Sequence, residues 1–175
     1  MAPIKPIVGM SAPWLEVSTL AGSTWRLADR KPQNFTAIVF YRGLHCPLCK
    51  NQLNELESKL GEFEKLGVEV IAISGDTHER AQKAKDDWGL QNLSIGYGNS
   101  MTAMQRWGLY VSRGAYDNEP PFFNEPALFL VRPDGILHYA VINSGPFGRP
   151  YIEDMIGGID YIMTNNYPVR GTEFF

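Results

Sequence analysis

Only two of the 175 residues are cysteine and only three are histidine. Two cysteines are too few for a disulfide-stapled scaffold. A zinc site is short of ligands as well, because only His45, His78 and His138 stand ready to join the two thiols, and a second CxxC is missing. No metal and no dissociable cofactor are therefore expected. Apolar runs long enough to cross a bilayer are absent. The start, Met1-Ala2-Pro3-Ile4-Lys5-Pro6, lacks a charged segment followed by an apolar block, so no secretory signal and a cytoplasmic location are expected. Basic runs are missing too: 16 lysines and arginines stand against 19 aspartates and glutamates, a net charge of −3, which points away from nucleic acid and anionic membranes. There is no internal repeat, linker or low-complexity tract. The length suits one domain over 1–175, with 1–13, which holds three prolines, as an extended N-terminal arm.

The two cysteines stand together, as Cys46-Pro47-Leu48-Cys49. They follow an apolar run, Thr36 to Tyr41, that reads as a buried strand. They open a helical stripe in which Cys46, Cys49, Leu53, Leu56, Leu60 and Phe63 recur at spacings of three and four. Pro47 suits the first helical position, since its fixed φ fits a helix start and its missing N–H would be unpaired there anyway. Cys46 is then the expected N-cap. A thiolate at that place accepts from free N–H groups of the first turn, including that of Cys49, and the helix dipole favours its charge. Both effects lower the pKa of Cys46 more than that of Cys49, which lies within the turn and nearer the core. Thiols react as thiolates, so Cys46 is expected to attack and Cys49 to resolve.

Around this stretch the pattern reads in order. Trp14 to Leu27 suggests two short strands about Ala21-Gly22-Ser23. Strand 36–41, helix 47–66 closed by Gly67, and strand 68–74 follow. Asp76-Thr77-His78-Glu79 resembles a capping box with Asp76 as N-cap, opening a helix whose face carries Ala81, Ala84 and Trp88. Leu93 to Ile95 is a short strand. Asn99 is expected to cap a helix with Met101, Met104 and Trp107. Residues 110–125 show no period and read as a functional loop. Ala127 to Val131, the turn Pro133-Asp134-Gly135, and Ile136 to Ile142 form a hairpin. Pro150 begins a last helix, and 167–175 read as irregular. Helices alternating with strands and then a hairpin imply an α/β fold, a central mixed sheet with helices on both faces and an N-terminal β-hairpin extension.

This order, with CxxC at a helix start and a proline before the hairpin, resembles the thioredoxin-like fold. More narrowly it resembles the peroxiredoxin-like alkyl hydroperoxide reductase and thiol-specific antioxidant family. The matching stretches are Phe40 to Cys49, Gly67 to Ser74, and Pro126 to Gly135, and the likeness covers about residues 10–165. It implies that Cys46 is the catalytic cysteine, that Cys49 is its partner in a redox-active disulfide, and that Pro126 is the proline, cis in thioredoxins, that faces the dithiol. It also implies a peroxide or disulfide substrate, an external thiol reductant such as a thioredoxin or glutathione system, and a possible homodimer, which the aromatic loop 110–123 also motivates. Peroxidase-type members carry a threonine three residues before the catalytic cysteine and a proline seven before it. Here those positions are Gly43 and Val39. The family arginine near the later strand is missing too, since that stretch reads Glu125-Pro126-Ala127, which leaves Arg42 or Arg132 to supply positive charge.

Further residues are weighed. His45 either holds positive charge beside Cys46 or faces solvent. Glu125, if buried near the dithiol, is placed to take the proton that Cys49 loses; otherwise it is a loop-edge carboxylate. Tyr41 and the four tryptophans are expected to pack. The favoured function is a thiol-dependent antioxidant oxidoreductase reducing peroxides. Its rivals are a dithiol reductase of protein disulfides, favoured by the missing threonine, and a non-catalytic binding module.

Overall fold

The computed structural model describes residues 5–173. Residues 1–4 of the expected arm, and residues 174–175 of the tail, lie outside the described residues. Alternation explains the centre of the fold. In β3 (Phe35–Phe40) every residue is buried, with Phe35, Ala37 and Val39 facing one apolar cluster and Ile38 and Phe40 the other. Such a strand must be covered on both sides. It pairs parallel with β4 (Val68–Ile73) and antiparallel with β8 (Ala127–Val131).

The seven-stranded mixed sheet runs β2-β1-β5-β4-β3-β8-β9. The hairpin β1 (Glu16–Thr19) and β2 (Thr24–Arg26) extends it by pairing with β5 (Ser94–Tyr97). The hairpin of β8 and β9 (Leu137–Ile142) closes the other edge. Helices α1 (Pro47–Lys65), α2 (His78–Trp88) and α4 (Ile152–Asn165) cover one face. The short α3 (Met101–Arg106) lies on the other, with Trp107 fully buried between Phe40 and Phe129. Helices therefore do lie on both faces. Leu53 and Leu56 of α1 are fully buried, and each such side chain contributes about 1.5–3 kcal/mol relative to exposure.

Several local expectations are corrected. The second helix is capped by Thr77, whose hydroxyl accepts from the Arg80 N–H, because the Asp76 side chain is taken up elsewhere. Ser100, not Asn99, caps α3. Residues 110–125 are not wholly irregular: β6 (Val111–Arg113) and β7 (Phe122–Asn124) make a small separate hairpin. The last helix begins at Ile152, with Tyr151 as N-cap and Pro150 just before it. Trp14 does not join the core; it is 58% exposed, with the Arg106 guanidinium over its ring. The described part of the N-terminal arm is tied down rather than free, as Gly9 and Ala12 donate to the carbonyls of Leu137 and Gly135.

Candidate active site

Strand β3 delivers the chain to the carboxyl edge of the sheet. There a short turn, closed by the Cys46 N–H on the Gly43 carbonyl, feeds α1. Pro47 occupies the first turn and Cys46 is the N-cap. The Cys49 N–H donates to Cys46 Sγ at 3.2 Å, as the helix-start argument requires. Both cysteines are free thiols.

Their environments push them apart. A hydrogen bond from the Cys49 side chain is the chief cause that lowers Cys46, from an ordinary value of 9.0 to about 5. The Cys49 N–H, the Arg149 charge and a hydrogen bond with Arg42 act in the same sense, against the burial that raises it. Burial pushes Cys49 well above its ordinary value, and its hydrogen bond to Cys46 raises it further. At neutral pH the pair is thus one thiolate and one thiol that donates to it.

Arg149 supplies the positive charge that sequence reasoning sought elsewhere. It leaves the loop before α4, and its Nη2 donates to Cys46 Sγ at 3.4 Å and Cys49 Sγ at 3.2 Å. Nη1 donates to Gln52 Oε1 at 2.9 Å, and Nε to the Pro146 carbonyl at 2.9 Å. Gln52 was legible in principle, as a polar residue three places from Cys49 on the buried face of α1. Arg149 carried no local signal, being 100 residues from Cys49 in the chain.

Arg42 is the second cation. Its backbone N–H donates to Cys49 Sγ at 3.3 Å. Burial disfavours its charge, yet hydrogen bonding to Cys46 and the charge of Glu125 raise its pKa overall. Its guanidinium lies over the Phe123 ring at 4.8 Å and pairs with Glu125 at 3.0 Å. Arg132 plays no part: it pairs with Asp134 in the β8–β9 turn, at the opposite end of β3 from Cys46.

The remaining expected residues are sorted by their contacts. Glu125 is 3% exposed; Ser112 Oγ donates to Oε1 at 2.6 Å, and Oε2 lies in an ion pair with Arg42 Nε at 3.0 Å. Its polar partners are Arg42 and Ser112. His45 is neither solvent-facing nor a cation beside the thiolate. It packs on Phe123 with ring centroids 4.5 Å apart, and burial followed by the Arg42 charge lowers its pKa. Pro126 is buried, but the described residues contain no cis peptide bond, so the cis isomer implied by thioredoxins is not adopted. The chain there runs extended from β7 into β8, with the Glu125 N–H on the Tyr110 carbonyl and the Pro126 carbonyl accepting from Asn143.

Gly43, which stands where peroxidase-type relatives have threonine, has φ +135. A Cβ there would lie 2.7 Å from Asp76 Oδ1 and 2.8 Å from Oδ2. Both the backbone and the carboxylate exclude a side chain. Gly43→Ala is accordingly expected to lower stability by about 1–3 kcal/mol, read as a shift in the urea midpoint; an unshifted midpoint would overturn this.

Comparison with known proteins agrees with this geometry. Residues 8–140 match the AhpC/TSA family. The alkyl hydroperoxide reductase C of Amphibacillus xylanus is 27% identical over 126 residues, 70% of this chain and 62% of that protein. The selenocysteine-containing peroxiredoxin PrxU of Peptoclostridium acidaminophilum is 29% identical, over 85% of this chain and 73% of that one. Among solved structures, a peroxiredoxin-like protein from Aquifex aeolicus superposes with a TM-score of 0.74 at 17% identity, covering 91% of this chain and 89% of the other. The reduced 2-Cys peroxiredoxin of Plasmodium vivax gives 0.73 at 18%, over 91% and 83%. With a central mixed sheet, a CxxC at the start of α1 and the family pattern running through both, this chain belongs to the AhpC/TSA family and has its thioredoxin-like fold.

Proposed function

We propose that this protein is a thiol-dependent peroxidase in which Cys46 attacks and Cys49 resolves. The observation that carries this reading is the asymmetric dithiol: Cys46 Sγ, at a helix N-cap, accepts from the Cys49 N–H at 3.2 Å and from Arg149 at 3.4 Å with its pKa lowered, while burial raises that of Cys49. The Cys46 thiolate attacks one oxygen of ROOH. The O–O bond breaks, the hydroxyl oxygen stays on sulfur with its proton, and RO⁻ takes a proton from solvent and leaves as ROH. Arginine N–H groups at the thiolate are placed to stabilise the charge that develops on the leaving oxygen. Cys46 is now a sulfenic acid. Cys49, on losing its proton, attacks that sulfur and expels water, leaving a Cys46–Cys49 disulfide. An external dithiol restores both thiols by exchange. The dithiol is the sole redox centre in this scheme, with no other cofactor.

Cys46 is only 1% exposed, which favours a small oxidant over a protein disulfide. The absence of a side chain at Gly43 supports the second reading, a dithiol reductase, because no hydroxyl is offered to a peroxide there. A third reading, a binding module, draws on the exposed Tyr110, Tyr116 and Phe122 beside β6 and β7; the same surface fits a homodimer. No helix among the described residues is long and apolar enough to cross a membrane, and a cytoplasmic site of action fits a dithiol that must be kept reduced.

Stopped-flow tryptophan fluorescence of the reduced protein mixed with hydrogen peroxide separates these readings. Trp88 packs on Tyr41, next to the site, as a reporter. A fast change that vanishes in Cys46→Ser is expected. A rate no better than that of a free thiol would move the function to disulfide reduction.

A further inference from the structure

The turn that delivers Cys46 is held from outside by a single carboxylate. Asp76 follows β4, and its side chain is fully buried. Oδ2 accepts from the Leu44 N–H at 2.8 Å, in the middle of the turn between Gly43 and Cys46. Oδ1 accepts from Arg80 Nε of α2 at 2.9 Å. The backbone of Asp76 is fixed in its own right: its N–H donates to Ser74 Oγ at 3.2 Å, and its carbonyl accepts from Gly98 at 2.8 Å. Arg80 is further tied to the Asn118 carbonyl. Asp76 therefore joins three separate pieces, namely the sheet edge, α2 and the Cys46 turn.

Gly43 completes the arrangement. Its missing side chain leaves the space the carboxylate occupies, and its φ of +135 is a backbone conformation that favours glycine. The turn is also closed by the Cys46 N–H on the Gly43 carbonyl. A small displacement here moves Cys46 Sγ against its donors at 3.2 and 3.4 Å, and hydrogen bonds at such lengths weaken steeply with distance and angle.

We infer that Asp76 is a positioning residue for the reaction: its carboxylate, seated against Gly43, holds the Leu44 N–H and thereby fixes the attacking sulfur among its hydrogen-bond donors. The inference rests on Cys46 being the attacking thiolate. It assigns the buried Asp76 to the turn rather than to the helix cap that its sequence context implied.

The test is the Cys46 titration followed by ultraviolet thiolate absorbance, with Cys46→Ser as the blank. This readout needs neither peroxide nor turnover, so its failure and failure of the peroxidase reading are told apart. The charged and titratable groups facing Cys46 are Cys49 and Arg149, Arg42 and His45, and none of them is altered by the variants. Asp76→Asn keeps the shape but offers one acceptor where two donors, Leu44 N–H and Arg80, converge. Its Cys46 midpoint is expected to rise from about 5. Each unit of rise cuts the thiolate present well below the midpoint about tenfold. In D76N/R80M the competing guanidinium is gone, the amide oxygen is free for Leu44, and the midpoint should return toward the parent's. A purely structural role would lower the melting temperature of D76N and leave the midpoint in place, which would overturn the inference. A raised midpoint that the double variant fails to restore would overturn it as well.

Discussion

Cys46→Ser is expected to reduce peroxide turnover to the uncatalysed background, while Cys49→Ser should complete one half-reaction and stop. The asymmetry follows from the two environments. Cys46 is the group held as thiolate, and only a thiolate attacks the peroxide oxygen. Cys49 is buried and its pKa is raised, so in the proposed mechanism it enters only after Cys46 has been oxidised. In Cys49→Ser the serine hydroxyl still donates to Cys46, so Cys46 keeps much of its acidity and its first step stays fast. The sulfenic acid then has no internal partner and accumulates, to be trapped by a dione reagent and weighed by mass spectrometry. Cys49→Ala also removes the donor, and should slow the first step because the largest cause of the lowered Cys46 pKa is gone. Sustained turnover by Cys49→Ser at the parent rate would transfer resolution to an external thiol. Equal reactivity of both single variants would remove the division of labour altogether.

Replacing Arg149 is expected to have the next largest effect. Its Nη2 reaches both sulfurs, and no carboxylate pairs with it among the described residues. Hydrogen bonds to charged groups are worth about 1.5–3 kcal/mol, so Arg149→Met should slow the reaction with peroxide by about 10- to 100-fold. Lysine should recover only part of this, since a point charge cannot span two sulfurs and Gln52 at once. The loss has a pH signature. A nearby cation favours the thiolate, so removing it moves the Cys46 midpoint up from about 5. The ratio of parent to variant rate should therefore grow as pH falls from 7 toward 5. A ratio constant over that range would leave Arg149 acting on the leaving oxygen alone.

Stability should follow the same linkage. Between about pH 5 and 9 the unfolded chain holds a Cys46 proton that the folded chain has released. The stability contributed by the thiolate is thus complete above the unfolded value and lost as pH falls through the folded one. Compared with Cys46→Ser, the parent should gain stability with rising pH across that window. Arg149→Met should narrow the window from its lower edge. Cys49, shifted upward, acts only at higher pH.

Much of this molecule could be read one residue at a time. The Cys46 N-cap, Pro47 in the first turn, the stripe of α1, the buried β3 and β4 and the β8–β9 hairpin all depend on neighbours within a few residues, and all are found where the pattern places them. Local pattern and structure part where a short-range rule competes with a distant partner. Asp76 fits a capping box, yet its carboxylate is used by Leu44, 32 residues away, and Thr77 takes the cap. The stretch 110–125 lacks a period because β6 and β7 are three residues each and pair only with one another. Trp14 looked like core by its size, but its position in the chain before β1 leaves it at the surface beneath Arg106.

From the chain alone come the place of the two cysteines at a helix start, the lower pKa of Cys46 relative to Cys49, and the fold that carries them, because helix-start electrostatics and hydrophobic period are local properties. Which charges surround the pair depends on how distant elements pack. Arg149 lies past the stretch that matches the family and reaches the thiols across 100 residues of chain. The pairing of Glu125 with Arg42 and Ser112 depends on β6, β7 and the end of β3 meeting there. A side chain's charge is written in the sequence, while the distance over which it acts is set only when the strands and helices have packed.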